Sequence, residues 1–340
     1  MPANLTPEYK AAEAAFRKAR EPRERLEHLR EMLRVIPKHK GTDHLQADIK
    51  RRIKDIAEAL EAPSKGGARG APALVVRPEG AAQIALVGPP NTGKSALHAR
   101  LTGSHVEPAP YPFATQYPRP GMMPYEDVRF QLVDLPPVSR EHPLPWLAST
   151  LQSADACLLV LDLGEPACVE QLAEVSAMLR ERRVALTDRW EPALESASKG
   201  EGDDDPFTLR LPALLIANKA DQLDDPASEL RAFLDLSGAR FPAFAVSAST
   251  GQGLGEIGPW LFRHLGIVRV YTKAPGKPPD HERPFTLRRG ETVAQLARLV
   301  HKDLAQSLRY ARVWGGAGFD GRHVGRDHVL TDGEVVELAV

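Results

Sequence analysis

Residues 83–95 read QIALVGPPNTGKS, and this stretch decides the fold. An unbroken apolar run, QIALV, is what a strand buried on both faces of a parallel sheet requires. It passes directly into GPPNTGKS, Gly88–Ser95, a phosphate-binding loop set between a strand and a helix. Gly88 and Gly93 let the backbone bend so that successive N–H groups turn toward phosphate oxygens. Lys94 sets a cation against the outer phosphates, and Ser95 offers a hydroxyl to Mg²⁺. Asn91, Thr92 and Ala96 complete the backbone that would wrap the nucleotide.

Working outward, the chain alternates strands with helices from residue 81 to 266. The runs VRFQLVDLP, ACLLVLDL, PALLIANK and PAFAVSA read as further strands. Helices are expected to begin at Gly93 and near Pro143, Cys168, Pro226 and Leu254. This is the pattern of a doubly wound α/β domain. Residues of about 184–210 have no periodicity and a run of acids, and they read as an acidic surface insertion.

Three further motifs fall at strand ends. In NKAD, the carboxylate of Asp221 can accept from both N1–H and N2–H₂ of guanine, a donor pair that adenine lacks. Asn218 and Lys219 would fix that loop and cover the ring. Ser247 and Ala248 follow the next strand, where backbone N–H groups can reach the guanine O6. In YPFATQYPRPG, Thr115 is a loop hydroxyl able to close on Mg²⁺ when a terminal phosphate is present. In VDLPP, Asp134 emerges at a strand end facing the same ion. The usual glycine of that last motif is Pro137 here, which has no N–H for the terminal phosphate. The N–H of Val138 is the neighbour that would have to substitute.

The flanks differ in character. Residues 1–61 read as a helical hairpin: Thr6 caps a helix opened by Pro7, and Leu45, Ile49, Ile53, Ile56 and Leu60 stripe a second. Lys50, Arg51, Arg52 and Lys54 crowd its other side. Residues 62–80 form a Gly/Ala/Pro linker. Residues 267–340 read as a β-hairpin, one amphipathic helix with Val293, Leu296, Leu299 and Val300 inward, and short strands: a β-grasp, ubiquitin-like. Charge follows this division. Residues 1–80 hold 17 Lys/Arg against 12 Asp/Glu, residues 267–340 hold 12 against 9, and residues 81–266 hold 15 against 24. Basic ends around an acidic centre fit polyanion contacts at the ends.

The exclusions are brief. No apolar run reaches the roughly 18 residues of a membrane span, so no membrane is expected and the cytoplasm is the expected compartment. The two cysteines build neither a disulfide framework nor a zinc site. The histidines lack metal-ligand spacing, and Trp190 and Trp314 read as packing residues.

In order, GPPNTGKSAL, YPFAT, DLPP, NKAD, VSA and then VRVYTK with HKDLAQSLRYARVWG resemble the developmentally regulated (DRG) branch of the Obg-like GTPases, with a C-terminal TGS domain. The resemblance covers nearly the whole chain. It implies a P-loop GTPase domain binding GTP and GDP with Mg²⁺ on Ser95, Thr115 and Asp134, and catalysis resting on Lys94, Thr115 and Asp134. It implies potassium at Asn91, work on ribosomes or structured RNA rather than DNA, and a TGS domain that contacts RNA or a protein partner. Two features depart from the family pattern. The subdomain usual between the third and fourth motifs is reduced to the acidic segment, and Pro137 replaces glycine. A slow GTP-hydrolysing switch is therefore expected, and a nucleotide-holding adaptor is the alternative.

Overall fold

The computed structural model describes residues 6–19, 22–37, 42–61, 76–104, 117–190, 205, 207–315 and 321–339. The chain divides into two units, Met1–Pro72 with Glu195–Thr208, and Ala73–Leu194 with Leu209–Val340. The linker of 62–75 and most of the acidic segment lie outside the described residues.

Among its described residues the first unit contains three helices, α1 (Pro7–Lys18), α2 (Pro22–Val35) and α3 (Asp43–Glu61), where the periodicity predicts a hairpin of two. The reason is Pro22. Without an N–H it cannot continue a helix, but it suits the first position of a new one. Thr6 Oγ1 caps α1 by accepting from the Tyr9 N–H at 3.2 Å. Tyr9, Phe16, Leu29, Met32 and Ile49 are buried together, and Phe207 meets Phe16 edge-on with centroids 6.1 Å apart. Arg52 lies over the Phe207 ring at 4.1 Å, so it leaves the basic side on which Lys50, Arg51 and Lys54 stay exposed.

The second unit opens with β1 (Ala82–Val87), α4 (Lys94–Thr102), β2 (Arg119–Tyr125), β3 (Val128–Asp134), α5 (Leu147–Leu151), β4 (Ala156–Asp162) and α6 (Cys168–Glu181). It continues through β5 (Val184–Thr187), β6 (Leu209–Asn218), α7 (Pro226–Ser237), β7 (Ala243–Ala245) and α8 (Ile257–His264). The strand order is β2-β3-β1-β4-β6-β5, with β7 also on β6. Every pair is parallel except β2 with β3. Apolar clusters bury both faces of the sheet, which explains the continuous apolar strands. The register sets Leu86 opposite Asp134 and Asp162 opposite Asn218, so the motif-bearing strand ends share one edge.

Two strands depart from the sequence reading. Val184–Thr187 falls within the expected surface insertion, yet it forms β5 against the first residues of β6. Trp190, just beyond, is buried edge-on to Trp260 at 4.4 Å. The segment RPGMMPY, whose first three residues end the loop YPFATQYPRPG, forms β2, an edge strand whose prolines are tolerated there.

The C-terminal sheet is built from β8 (Ile267–Thr272), β9 (Asp280–Arg288), β10 (Tyr310–Trp314), β11 (Arg322–Val324) and β12 (Glu334–Ala339), in the order β11-β10-β12-β8-β9. The expected single helix is two, α9 (Val293–Val300) and α10 (Lys302–Ser307), because His301 is extended at φ −165°. Leu299 is 55% exposed, not inward: Ala297 fills the buried arc with Val293 and Leu296. Strand β8 is fastened to the β2–β3 turn. The Arg269 guanidinium contacts Glu126, Asp127 at 3.0 Å and Asp332 at 2.7 Å, and the Tyr271 hydroxyl donates to Asp127. Arg288 also reaches the buried Asp155 at 2.9 Å.

Candidate nucleotide-binding site

The loop between β1 and α4 is held open by its backbone. Gly93 caps α4 at φ +81°, and a Cβ there would collide with the Asn218 amide. A Cβ on Gly88 would run into the Val160 carbonyl. Asn91 lies in the left-handed region at φ +63° and is exposed, as is Ala96. Thr92 is buried, and its hydroxyl donates to the Pro89 carbonyl at 3.2 Å. Lys94 Nζ donates to the same carbonyl at 2.6 Å, so the ammonium spans the ring of the loop. Burial pushes this ammonium down to about 8, and only the nearby Asp134 opposes that. A phosphate in the loop would supply the missing charge partner.

Ser95 and Asp134 meet across the site, with Oγ donating to Oδ2 at 2.6 Å. A hydroxyl and a carboxylate converging at the start of a helix form a hard oxygen donor set that fits Mg²⁺. Bound there, the ion would neutralise charge on the phosphates that Lys94 also faces. Thr115, the third expected ligand, lies outside the described residues.

Asn218 ties the site together. Its Nδ2 donates to the Thr92 carbonyl at 2.9 Å, and its Oδ1 accepts from the Ala248 N–H at 3.0 Å. The Ala248 N–H, expected to serve the guanine O6, is thus directed at Asn218. Lys219 sits at φ +64° and its ammonium reaches Asp162 Oδ2 at 2.6 Å. Asp221 is exposed and accepts from the Ser249 hydroxyl at 3.0 Å. Hydroxyls of Ser247 and then Ser249 hold its carboxyl below the ordinary range, so it is ionised and ready to accept. Ser247 is itself fully buried, its Oγ accepting from the Thr250 N–H at 3.0 Å. Asp162 and Ser249 were missed in the sequence. The first is signalled only by its place at the end of β4, the second by the hydroxyl-rich SAST.

The turn after β3 is packed shut. Leu135, Pro136, Pro137 and Val138 are all buried, and the Val138 N–H donates to the Gly88 carbonyl at 3.0 Å. The donor that would have to replace a glycine N–H at Pro137 is therefore bound to the phosphate loop itself. Among the described residues no three His, Cys, Asp or Glu side chains converge as a metal cluster, and no helix is long and apolar enough to cross a membrane.

Comparison with known proteins agrees with this geometry. Residues 83–188 match the family described as 50S ribosome-binding GTPase, and residues 268–340 match the TGS domain. An uncharacterised GTP-binding protein of Halobacterium salinarum is 28% identical, covering 93% of this chain and 98% of its own. Developmentally-regulated G-protein 2 of Arabidopsis thaliana is 27% identical, covering 93% of this chain and 90% of its own. The chain is a homologue of the developmentally regulated GTP-binding proteins. Among solved structures, the YchF GTPase of Schizosaccharomyces pombe shares the fold at a TM-score of 0.52, with 15% identity over 77% of this chain and 99% of its own. The chain is accordingly a GTP-binding protein with a P-loop GTPase fold and a C-terminal TGS domain, and its family carries the usual dependence on Mg²⁺.

Proposed function

We propose that this DRG homologue is a slow GTP-hydrolysing switch that works on ribosomes or structured RNA. The observation that carries the slow step is the engagement of Val138 with Gly88 beside a buried Pro137. A glycine at 137 would donate to the terminal phosphate as charge grows on it; the proline cannot, and the next N–H is already committed. Binding does not depend on that contact. Lys94, Ser95, Asp134 and the loop N–H groups remain, so GTP and GDP are held with little distinction between them. A monovalent cation at Asn91, beside the phosphates, would offset part of the missing stabilisation. The ribosome reading is supported by the basic flanks and by the description of the matched GTPase family.

Single-turnover hydrolysis of GTP by the full chain tests the reading, run together with ribosome sedimentation over a salt series. The expected results are turnover well below that of the Pro137→Gly variant and association that weakens steeply with salt as counterions are released. Brisk wild-type turnover overturns the slow switch. The adaptor reading is favoured if nucleotide is held tightly and no hydrolysis is measurable.

A further inference from the structure

The C-terminal sheet has one face packed on α9 and a second face that carries rings and cations. Alternation along β10 sends Ala311 and Val313 into the core and turns Tyr310, Arg312 and Trp314 to the other side. His323 of β11 stands opposite Arg312, and Glu337 of β12 flanks it on the other side. The Tyr310 and His323 rings stack with centroids 4.7 Å apart and planes 27° from parallel. Arg312 Nε donates to His323 Nε2 at 3.1 Å. The Lys273 ammonium lies over the Trp314 ring at 4.1 Å. One acid, Glu337, sits between the two cations, 3.6 Å from Lys273 and 3.7 Å from Arg312.

Folding does not require this arrangement. The core beneath is closed by Ala311, Val313 and Val336, all fully buried, while Tyr310, Arg312 and His323 are exposed. At the far end of the same face, Arg269 and Tyr271 are taken up by the β2–β3 turn, so the β10–β11 side is the open part. An exposed, stacked ring pair with a guanidinium beside it can be extended by an unpaired nucleobase. The base stacks on the rings, and the cation meets its phosphate. A duplex hides its base faces and offers such a surface only phosphates. An apolar protein partner would need aliphatic surface, and the outward residues of β10 and β11 include none.

We propose that the outer face of the TGS sheet, centred on Tyr310, Arg312 and His323, binds single-stranded RNA by stacking of exposed bases. The choice of RNA rests on the ribosome reading above; the stacking chemistry does not.

The test is fluorescence anisotropy of the full chain with a labelled single-stranded RNA of about ten nucleotides. A DNA strand of the same sequence and an RNA duplex serve as comparisons. Tyr310→Ala and His323→Ala are each expected to weaken single-stranded RNA binding by about tenfold, whereas Tyr310→Phe retains it. Arg312→Ala should weaken binding and lower its salt dependence. Nucleotide affinity and melting temperature should be unchanged in all four, which separates lost stacking from lost folding. The proposal is overturned if Tyr310→Ala binds as the wild type does, if the duplex binds as well as the single strand, or if DNA is preferred. Loss of ribosome sedimentation with oligonucleotide binding intact would count against the ribosome reading and leave this face standing.

Discussion

Asp221 faces two serine hydroxyls, one of them 3.0 Å away, and guanine would replace these with a pair of N–H donors. An amide at that position offers donors where the base also donates. Asp221→Asn is therefore expected to weaken GTP by about ten- to a hundredfold, the value of a lost charged hydrogen bond, and to favour xanthosine triphosphate. Competition binding with the two nucleotides checks it; equal GTP affinity in both proteins would end the base-reading role. Pro137 bears on the other end of the nucleotide. If the missing N–H is worth about 1.5–3 kcal/mol in the transition state, Pro137→Gly should raise single-turnover hydrolysis about ten- to a hundredfold. It should also widen the gap between GTP and GDP affinity, since the turn then has a contact only GTP can make. Asn91 supplies a third case. Its left-handed backbone leaves the carboxamide exposed beside the loop, so hydrolysis should run faster in K⁺ than in Na⁺, and Asn91→Ala should erase the difference. Identical rates of the wild type in both salts would refute it.

One element joins the others at the site: the end of β6, where Asn218 bonds both the phosphate loop and the loop after β7. The join also fixes what Gly93 must be. Gly93→Ala places a Cβ against the Asn218 amide at a backbone angle that disfavours any side chain. The variant should lose nucleotide binding by at least about a hundredfold, read by a fluorescent GDP analogue, while the C-terminal sheet stays folded. Elements like these were legible where physics writes them locally. β1, β3, β4 and β6 are apolar on both faces, and the glycines and lysine of the phosphate loop have few other uses together. Other elements left no such trace. β2 is a largely exposed edge strand interrupted by prolines, and β5 has four residues that pair only through β6. The break at His301 carries neither proline nor glycine, and Ala297 rather than Leu299 fills the arc beneath. Asp162 acts through Lys219, a partner 57 residues away, which no local pattern announces.

At the scale of the whole second unit, the GTPase domain and the TGS sheet are fastened by Arg288 on Asp155 and by Arg269 among three carboxylates. Arg269 reaches Glu126 and Asp127 on the β2–β3 turn and Asp332 before β12. Burial alone would raise Asp127, but hydrogen bonds from Tyr271 and Arg269 outweigh it and hold the carboxyl below its ordinary range. Asp332 follows the same balance, with Arg269 as the donor. The hydrogen bond to Asp127, and then burial, push the Tyr271 hydroxyl up to about 12. The signs follow from these directions. A carboxyl lowered by folding contributes stability that is present above its unfolded value, about 4, and is lost as pH falls through the lower folded value. A hydroxyl raised by folding contributes below its unfolded value, about 10, and that contribution is lost as pH rises through about 12. The fastening is thus complete between about pH 4 and pH 10 and is lost progressively outside that window. Because the turn connects β2 to β3, and β3 ends at Asp134, loosening it at acid pH also loosens one wall of the nucleotide site. Amide hydrogen exchange of the β2–β3 turn and β8 should stay slow from pH 5 to 9 once corrected for the intrinsic rate, and should speed up together below about pH 4. Arg269→Ala should speed both segments already at neutral pH and cost on the order of 1–2 kcal/mol, discounted for the partial exposure of the cluster. If the turn and β8 exchange independently of each other, or if the variant leaves both as slow as the wild type, Arg269 does not hold the two domains together.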